Sequence, residues 1–399
     1  MTDDRETLRL VRIIARLNIG GPAIQAISLT RLLRVRGYET RLVRGRESAD
    51  EGSMDYLARE LGVFPTQIDS LRRDPGLGDL AALRRLVTIL RHDRPRIVHT
   101  HAAKAGTLGR LAAVIAFPAR SRRPILIHTF HGHSLTGYFS GPTAGFYRRV
   151  ERILARQTDA LVAVSREVRD DLVRLGVAPR EQFVVVPLGL DLDRFLDDTD
   201  RAVRRAKLRA EWGIEEGDEV VTLVARLVPI KRVDRFLRVA RLLSTRPRTR
   251  FVVVGDGELR ERLAASADAQ ALKDRLLWAG FRRDVADVCF ASDVVALTSD
   301  NEGTPVSLIE AQAAAVPVVG TDVGGVRSAV RHGETGLIAA VDDDRGLAGA
   351  ISTLLDDPEL ARRLGSAGRV HAAESFARDR LVSDLDGMYR QLLGARPRQ

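Results

Sequence analysis

The chain has 399 residues, of which 45% are hydrophobic and 29% charged. This composition is typical of a folded globular protein and excludes a disordered or collagen-like chain. The single cysteine, Cys289, excludes an internal disulfide and a cysteine-based zinc site. The longest apolar run, at about 111–117, is shorter than the roughly 20 residues of a membrane-spanning helix, and the charged N-terminus has no apolar signal segment behind it. We therefore expect a cytoplasmic protein of two or three domains.

Positive charge is concentrated in the first half of the chain. Residues 1–190 carry a net charge of +12 and the remainder a net charge of −2, which together give the overall +10. A basic half suits an anionic partner, such as a phosphate-bearing substrate, an anionic membrane surface or a nucleic acid. Solvated surface arginines explain the excess equally well. Nucleic acid is the least favoured partner, because the sequence has no zinc finger and no aromatic RNA-binding signature.

Short β-branched runs alternate with amphipathic stretches along the chain, which predicts parallel sheets covered by helices. The first half has predicted strands at 8–14, 96–99, 125–129, 160–164 and 183–186, with helices at 23–36 and 80–91. The second half has predicted strands at 219–224, 250–254, 276–279, 293–298 and 316–320, with helices at 232–243 and 305–315. The turn-rich acidic run 187–200 predicts the domain boundary. Ligands of such sheets bind beyond the carboxyl ends of the strands, so we expect the site in a cleft between the halves.

Two loops that follow predicted strands are suited to an anion. Gly20 and Gly21 come after the first strand and open a helix, with Pro22 expected at its first position. Glycines let a ligand approach the backbone closely, and the helix N-terminus offers unpaired N–H groups. Arg226 and Lys231 stand five residues apart after the first strand of the second half. Two cations there suit a diphosphate, although a pair of surface cations is common in a chain rich in arginine.

The segment from Asp300 to Glu310 is the most specific motif in the sequence. Thr304 is the expected N-cap and Pro305 the expected first residue of the helix that follows, whose amide end would hold an anion. Glu302 precedes this helix and Glu310 lies inside it, so both carboxylates could face one elongated ligand and accept hydrogen bonds from sugar hydroxyls. Alternatively, the two residues compensate the helix dipole and cover its surface. The helix is otherwise almost wholly apolar, and a buried carboxylate without a partner is costly, which favours a function.

Four histidines cluster in two expected strand-end loops: His99, His101, His131 and His133. A zinc site is one interpretation. Since no Asp or Glu lies nearby in sequence to complete the ligands, we favour neutral imidazoles that donate or accept hydrogen bonds.

Together these motifs resemble the retaining nucleotide-sugar glycosyltransferases of family 4, which have the GT-B fold. The resemblance extends from Gly20 to about 369, and its most specific part is the match of 302–310 to the family's Glu-x7-Glu element. Supporting motifs in the family's order are Arg226…Lys231, Gly255-Asp-Gly257, Gly324-Gly325 and Gly333-Glu-Thr-Gly-Leu337. The resemblance implies two Rossmann-like α/β domains facing across a cleft. The acceptor domain would comprise 1–190 plus about 379–399, with a final helix at about 379–393 crossing back to it, and the donor domain would comprise 191–378.

The resemblance also implies a role for individual residues on the donor side. Arg226 and Lys231 would hold the donor diphosphate, and Glu310 would accept the ribose hydroxyls. Glu302 would address the donor sugar. The family's glycine before the arginine is Ala225 in this chain.

Further contacts follow from the same resemblance. The amides of Gly303 and Thr304 would act with Glu302 on the donor sugar, and Ser307 is a weaker candidate for a phosphate contact. Gly20 and Gly21 would approach the diphosphate from the first domain. His131 occupies the position of a family histidine near the transferred sugar; we favour orientation of the sugar over catalysis by a His131 base. The family's glycine after the lysine is Arg232, and its Pro-Asn-Gly turn reads Pro187-Leu-Gly189.

These residues predict a glycosyltransferase that moves a hexose-type sugar from a UDP-sugar, more than a GDP-sugar, to a saccharide or lipid-linked acceptor of bacterial polysaccharide synthesis. Cations and helix amides would stabilise the leaving diphosphate, so no metal is expected. The Asp-x-Asp copies at 191–193, 198–200 and 342–344 are more typical of a solvated face. An epimerase on the same fold and a basic polyanion-binding protein are the alternatives.

The stretch 143–156 reads as a basic amphipathic helix. Such a helix can lie on anionic lipid at the inner face of the cell membrane, or it can pack on its own domain. The sequence leaves both interpretations open.

Overall fold

The computed structural model describes residues 7–47, 52–72, 76–132 and 141–395. The chain divides into two compact units: one comprises Met1–Leu190 and Arg378–Gln399, and the other comprises Asp191–Ala377. Each unit is built on a parallel sheet with helices between its strands, as the alternating pattern predicts.

The sheet of the first unit has seven strands in the order β3-β2-β1-β4-β5-β6-β7. The strands are β1 (Leu8–Ile14), β2 (Tyr38–Arg44), β3 (Thr66–Gln67), β4 (Ile97–His101), β5 (Ile125–Phe130), β6 (Ala160–Ala163) and β7 (Phe183–Val185). The helices are α1 (Gly21–Leu32), α2 (Asp55–Glu60), α3 (Gly78–Asp93), α4 (Ala103–Ala116), α5 (Gly141–Ala155), α6 (Arg166–Arg174) and α17 (Arg378–Gly394). Strands β4 and β5 are buried at every position, as expected of central strands in a sheet covered on both faces.

The final helix, α17, belongs to the core of the first unit. Its apolar face, which includes Leu381, Leu385 and Tyr389, packs with Leu10 and Ile97 of the sheet. The prediction that a helix at about 379–393 joins the first domain is confirmed.

The sheet of the second unit has six strands in the order β10-β9-β8-β11-β12-β13. The strands are β8 (Glu219–Val224), β9 (Thr249–Val254), β10 (Leu276–Gly280), β11 (Val294–Leu297), β12 (Val318–Thr321) and β13 (Leu337–Ala339). The helices are α7 (Asp193–Leu196), α8 (Arg201–Glu211), α9 (Val233–Leu242), α10 (Arg260–Ala264), α11 (Ala267–Leu272), α12 (Val285–Ala291), α13 (Val306–Ala313), α14 (Val326–Ala329), α15 (Asp344–Asp356) and α16 (Pro358–Phe376). Its core includes Val221, Phe236 and Phe251.

Three strands are absent from the predicted set: β2, β3 and β13. Strand β2 has charged residues at Glu39, Arg41 and Arg44 and no regular apolar alternation, so its pattern is weaker than that of the buried strands. Strands β3 and β13 have only two and three residues, too few to show a period.

Candidate functional site

The loops after β8 and β11 bring a cation and a carboxylate together in the second unit. Lys231 lies at the end of a short 3-10 turn after β8, and its Nζ is 2.6 Å from Oε1 of Glu302. The hydroxyl of Ser299 donates to the same carboxylate oxygen at 2.6 Å. Glu302 is 7% exposed. Arg226, in the same loop as Lys231, is exposed and pairs with no carboxylate of the described chain.

A glycine turn after β12 supports the backbone at Glu302. Gly324 has φ +46°, and a Cβ there would lie 2.0 Å from the carbonyl oxygen of Glu302. The amide of Gly325 donates to that carbonyl at 2.8 Å. Only glycine fits this close approach, which gives the Gly324-Gly325 motif a physical role in positioning the site.

Helix α13 begins one residue later than predicted. Pro305 is its N-cap and not its first helical residue, and the expected cap by Thr304 is wrong. The Thr304 hydroxyl is buried and makes no hydrogen bond to the described residues. The backbone N–H groups of Gly303, Thr304 and Ser307 likewise have no acceptor among the described residues. These unpaired donors precede and open a two-turn helix, an arrangement suited to an anion.

Glu310 lies in the second turn of α13 and is half-buried. Its carboxyl group makes no hydrogen bond or ion pair with the described residues, and removal of water from it raises its pKa to about 8. A half-buried carboxyl group without a partner is costly, so Glu310 is a candidate acceptor for the hydroxyl groups of a ligand.

An ion-pair network fixes the loop that carries Lys231. Arg232 has φ +48°, a left-handed conformation that explains why the family has glycine at this position. Its guanidinium group bonds the carboxylates of Asp234 and Asp300, the latter at 2.9 Å. The carboxylate of Asp300 also pairs, at 2.8 Å, with Arg235, which is 1% exposed. Ion pairs between the loops after β8 and β11 thus stabilise, at Arg232, a backbone conformation that glycine adopts without strain.

The last Asp-x-Asp copy takes part in the same network. Asp342 pairs with Arg235 at 3.1 Å, and Asp344 pairs with Arg238 at 2.7 Å. Sequence reasoning treated this copy as a solvated face and missed Arg235. The available signal was an arginine on the apolar side of a predicted helix.

Two further glycine motifs have a residue with a positive φ angle, and one of them lies at a close backbone contact. Gly255 has φ +132°, and a Cβ there would lie 1.9 Å from the carbonyl oxygen of Ala225. In the first unit, Gly20 has φ +152° and caps α1, with Pro22 as the second helical residue and not the first. The N–H of Gly21 has no acceptor within the described ranges.

Three of the four predicted histidines, His99, His101 and His131, have adjacent rings. His99 and His101 are in β4 itself, where both are fully buried, and not in a loop. Nδ1 of His101 is 3.0 Å from Nε2 of His131, which follows β5. His133 lies outside the described residues. No group of three or more His, Cys, Asp or Glu in the described chain could hold a metal ion.

Comparisons with known proteins identify the family. The model described as Glycosyltransferase Family 4 matches residues 19–194, and the model described as Glycosyl transferases group 1 matches residues 204–371. The D-inositol 3-phosphate glycosyltransferase of Xylanimonas cellulosilytica is 30% identical over 399 residues, covering 95% of this chain and 93% of that protein. The chain belongs to glycosyltransferase family 4. This confirms the family that the motifs from Gly20 to about 369, taken together, resemble.

Two further similarities agree with this assignment. The glycosyltransferase is 29% identical over 311 residues to the Escherichia coli UDP-Gal:alpha-D-GlcNAc-diphosphoundecaprenol alpha-1,3-galactosyltransferase, covering 77% of this chain and 78% of that protein. The structure of Anabaena HepE in complex with UDP superimposes with a TM-score of 0.80 at 21% identity, covering 96% of this chain and all of that one. The protein is therefore a glycosyltransferase with the GT-B fold.

Proposed function

We propose that the protein is a retaining glycosyltransferase that moves a hexose from a UDP-sugar to a saccharide or lipid-linked acceptor in bacterial polysaccharide or glycoconjugate synthesis. The observation that carries the donor site is the set of unused hydrogen-bond donors in the loops after β8 and β11, which the Lys231–Glu302 ion pair joins. Arg226 has no anionic partner, and Gly303, Thr304 and Ser307 have amides without acceptors, all within the described residues. A guanidinium group and free amide N–H groups are donors of the kind that phosphate oxygens accept from.

The charges of the reaction assign roles to these groups. As the bond between the anomeric carbon and the diphosphate oxygen breaks, negative charge builds on the phosphate, where Arg226, Lys231 and the helix amides stabilise it. Glu310 accepts hydrogen bonds from the ribose hydroxyls, and Glu302 addresses the hexose. The acceptor oxygen bonds the anomeric carbon on the face that the diphosphate leaves, and its proton passes to a leaving phosphate oxygen. No metal ion is required in this scheme.

First-unit residues complete the proposal. The backbone of Gly20 and Gly21 approaches the diphosphate, and His131 orients the transferred sugar. Preference for UDP over GDP is supported by the name of the Escherichia coli relative, which acts with UDP-Gal, and by UDP in the HepE structure. A lipid-linked acceptor is supported by the diphosphoundecaprenol in that relative's name.

A panel of nucleotide sugars tests this function. We expect UDP-sugars to raise the melting temperature more than GDP-sugars do, with and without a chelator, and one UDP-sugar to be hydrolysed slowly when no acceptor is present. Conversion of the donor to an epimer would support the epimerase alternative instead. Binding of heparin or RNA with no effect of any nucleotide sugar would support a polyanion-binding protein. Loss of binding with the chelator would contradict metal independence.

We further propose that α5 contacts an anionic membrane. A hollow of about 690 Å³ is lined by Gly145, Ile153 and four arginines: Arg148, Arg149, Arg152 and Arg156. None of the four pairs with a carboxylate of the described chain. Phe146 and Ile153 are 64% and 54% exposed, so apolar and cationic groups share this face. None of the helices in the described ranges is long and apolar enough to cross a bilayer.

Vesicle sedimentation tests the membrane contact. We expect the protein to sediment with phosphatidylglycerol vesicles at low salt and much less at high salt, because the attraction is electrostatic. The double variant Arg148→Gln/Arg149→Gln should weaken this partitioning roughly 30-fold, at about 1 kcal/mol per charge. The matched control is Arg84→Gln/Arg85→Gln, which removes two exposed charges from α3. Equal effects of both variants, or no sedimentation at low salt, would contradict the proposal.

A further inference from the structure

A buried arginine without a carboxylate lies beneath the histidines of the first unit. Arg12 is in β1 and is 0% exposed. Its hydrogen-bond partners among the described residues are two neutral groups, Nε2 of His101 at 2.9 Å and the hydroxyl of Tyr389 at 3.4 Å. None of the described carboxylates pairs with it, and its Nε has no hydrogen-bond partner there. A buried cation without a counter-ion is costly, so its retention in a central strand calls for a role.

Arg12 dictates where the protons of the neighbouring rings lie. An arginine guanidinium group only donates and does not lose its proton in proteins. Nε2 of His101 must therefore accept, and the single proton of this neutral ring lies on Nδ1. That N–H donates to Nε2 of His131, 3.0 Å away. Since Nε2 of His131 accepts, the proton of His131 lies on Nδ1.

A second series of hydrogen bonds also begins at Arg12, and each donor in it again points away from the arginine. The hydroxyl of Tyr389, on α17, accepts from Arg12 and so donates to Nδ1 of His99. Nε2 of His99 then donates to the hydroxyl of Thr129 at 2.7 Å. Both series start at Arg12, but the second ends at the hydroxyl of Thr129, which is fully buried, whereas the first ends at the partly exposed ring of His131. Nδ1 of His131 makes no hydrogen bond to any described residue.

We propose that Arg12 is a positioning residue that holds His131 as a neutral imidazole with its proton on Nδ1. His131 is then a hydrogen-bond donor to the transferred sugar and not the base that deprotonates the acceptor. The sugar contact rests on the proposed function, whereas the proton position rests on the hydrogen bonds alone. Burial of the ring and the charge of Arg12 agree with a neutral state, because they lower the pKa of His131 to about 3.

Nitrogen NMR of the full chain labelled with [15N]histidine tests the proton position directly. The chain has eight histidines, and the His131 signals are assigned by their loss in His131→Asn. We expect Nδ1 of His131 to be of the protonated type and Nε2 of the unprotonated type in the wild-type protein. The opposite assignment, or two protonated nitrogens, would overturn the inference without any variant of Arg12.

Variants then test the cause. Arg12→Met removes the donor, so the proton of His101 should move from Nδ1 to Nε2. The hydrogen bond between His101 and His131 should then reverse its direction, and the proton of His131 should move to Nε2. Arg12→Lys keeps a donor and should restore the wild-type spectrum. Tyr389→Phe breaks only the second series and should leave the His131 signals unchanged. An unchanged His131 spectrum in folded Arg12→Met would contradict the role of Arg12.

Donor hydrolysis separates the sugar contact from the proton position. The amide nitrogen of asparagine overlays Nδ1 of histidine, and that of glutamine overlays Nε2. We therefore expect His131→Gln and Arg12→Met to lower kcat about 10²-fold with little change in KM, and His131→Asn to lose much less. If the NMR result holds but all three variants hydrolyse donor normally, while Lys231→Ala loses nucleotide binding, the sugar contact is refuted and the proposed donor site stands.

Discussion

Replacement of Lys231 by alanine should abolish the melting-temperature rise that a UDP-sugar gives, and should lower donor turnover by about 10²–10³-fold. Lys231 and Arg226 lie in the loop after β8, and the proposed reaction leaves negative charge on the diphosphate that we assign to them. Removal of the Lys231 charge should destabilise the transition state more than the bound donor, because the negative charge on the phosphate is largest in the transition state. Isothermal titration and steady-state hydrolysis measure the two effects separately.

Loss of Lys231 also has a structural effect that must be separated from loss of the phosphate contact. Glu302 is 7% exposed, and it would keep only the Ser299 hydroxyl as a partner after Lys231→Ala. A buried carboxylate without its cation destabilises the folded state, so the melting temperature without ligand should fall. The double variant Lys231→Ala/Glu302→Gln removes that charge. It should recover the melting temperature but not nucleotide binding.

The matched control for Lys231 is Lys207→Ala. Lys207 is an exposed lysine of α8 in the same unit and makes no ion pair with the described residues. We expect it to leave both stability and UDP-sugar binding unchanged. If Lys231→Ala keeps the wild-type nucleotide affinity, the assignment of the donor diphosphate to this loop is wrong.

Most of the strands could be predicted because they are short runs rich in β-branched and other apolar residues, separated by longer segments with helical periodicity. The sheet order could not be predicted, since it depends on which strands pair across the unit. The family and the site residues Glu302 and Glu310 could also be predicted, because the two glutamates lie in one loop and the helix that follows it. The structure adds that Lys231 and Glu302, 71 residues apart, are ion-paired.

The missed residues share one property: their partners are distant in sequence. Arg12 meets Tyr389, 377 residues away, and Asp300 meets Arg232 across two loops. Their signals were charged side chains in otherwise apolar or turn segments, and no local pattern names the partner of such a charge. The Thr304 cap was wrong for a related reason. A capping residue is recognised by its type, but whether its hydroxyl reaches the N–H groups depends on a backbone turn that the flanking loops fix.

Replacement of Glu310 by glutamine should stabilise the protein without ligand and weaken its binding of nucleotide. Burial raises the pKa of this carboxyl group from 4.5 to about 8. The unfolded chain therefore loses the proton first as the pH rises, which lowers the stability of the wild-type protein relative to the variant. The difference is absent below pH 4.5, grows between pH 4.5 and about 8, and is constant above that. Melting temperatures across this range measure it.

The affinity of Glu310→Gln for UDP-glucose should move in the opposite direction. An ionised carboxylate accepts from two ribose hydroxyls. Each of these bonds contributes about 1 kcal/mol more with a charged acceptor than with the neutral amide of glutamine, so we expect a loss of about 10–100-fold. Wild-type affinity should rise with pH towards about 8 as the carboxyl group ionises, and the affinity of the variant should not. Glu216→Gln, at an exposed turn of the same unit, is the control and should change neither quantity. A variant that binds UDP-glucose as well as the wild-type protein would show that Glu310 is a purely structural residue of α13, and that the ribose is held elsewhere.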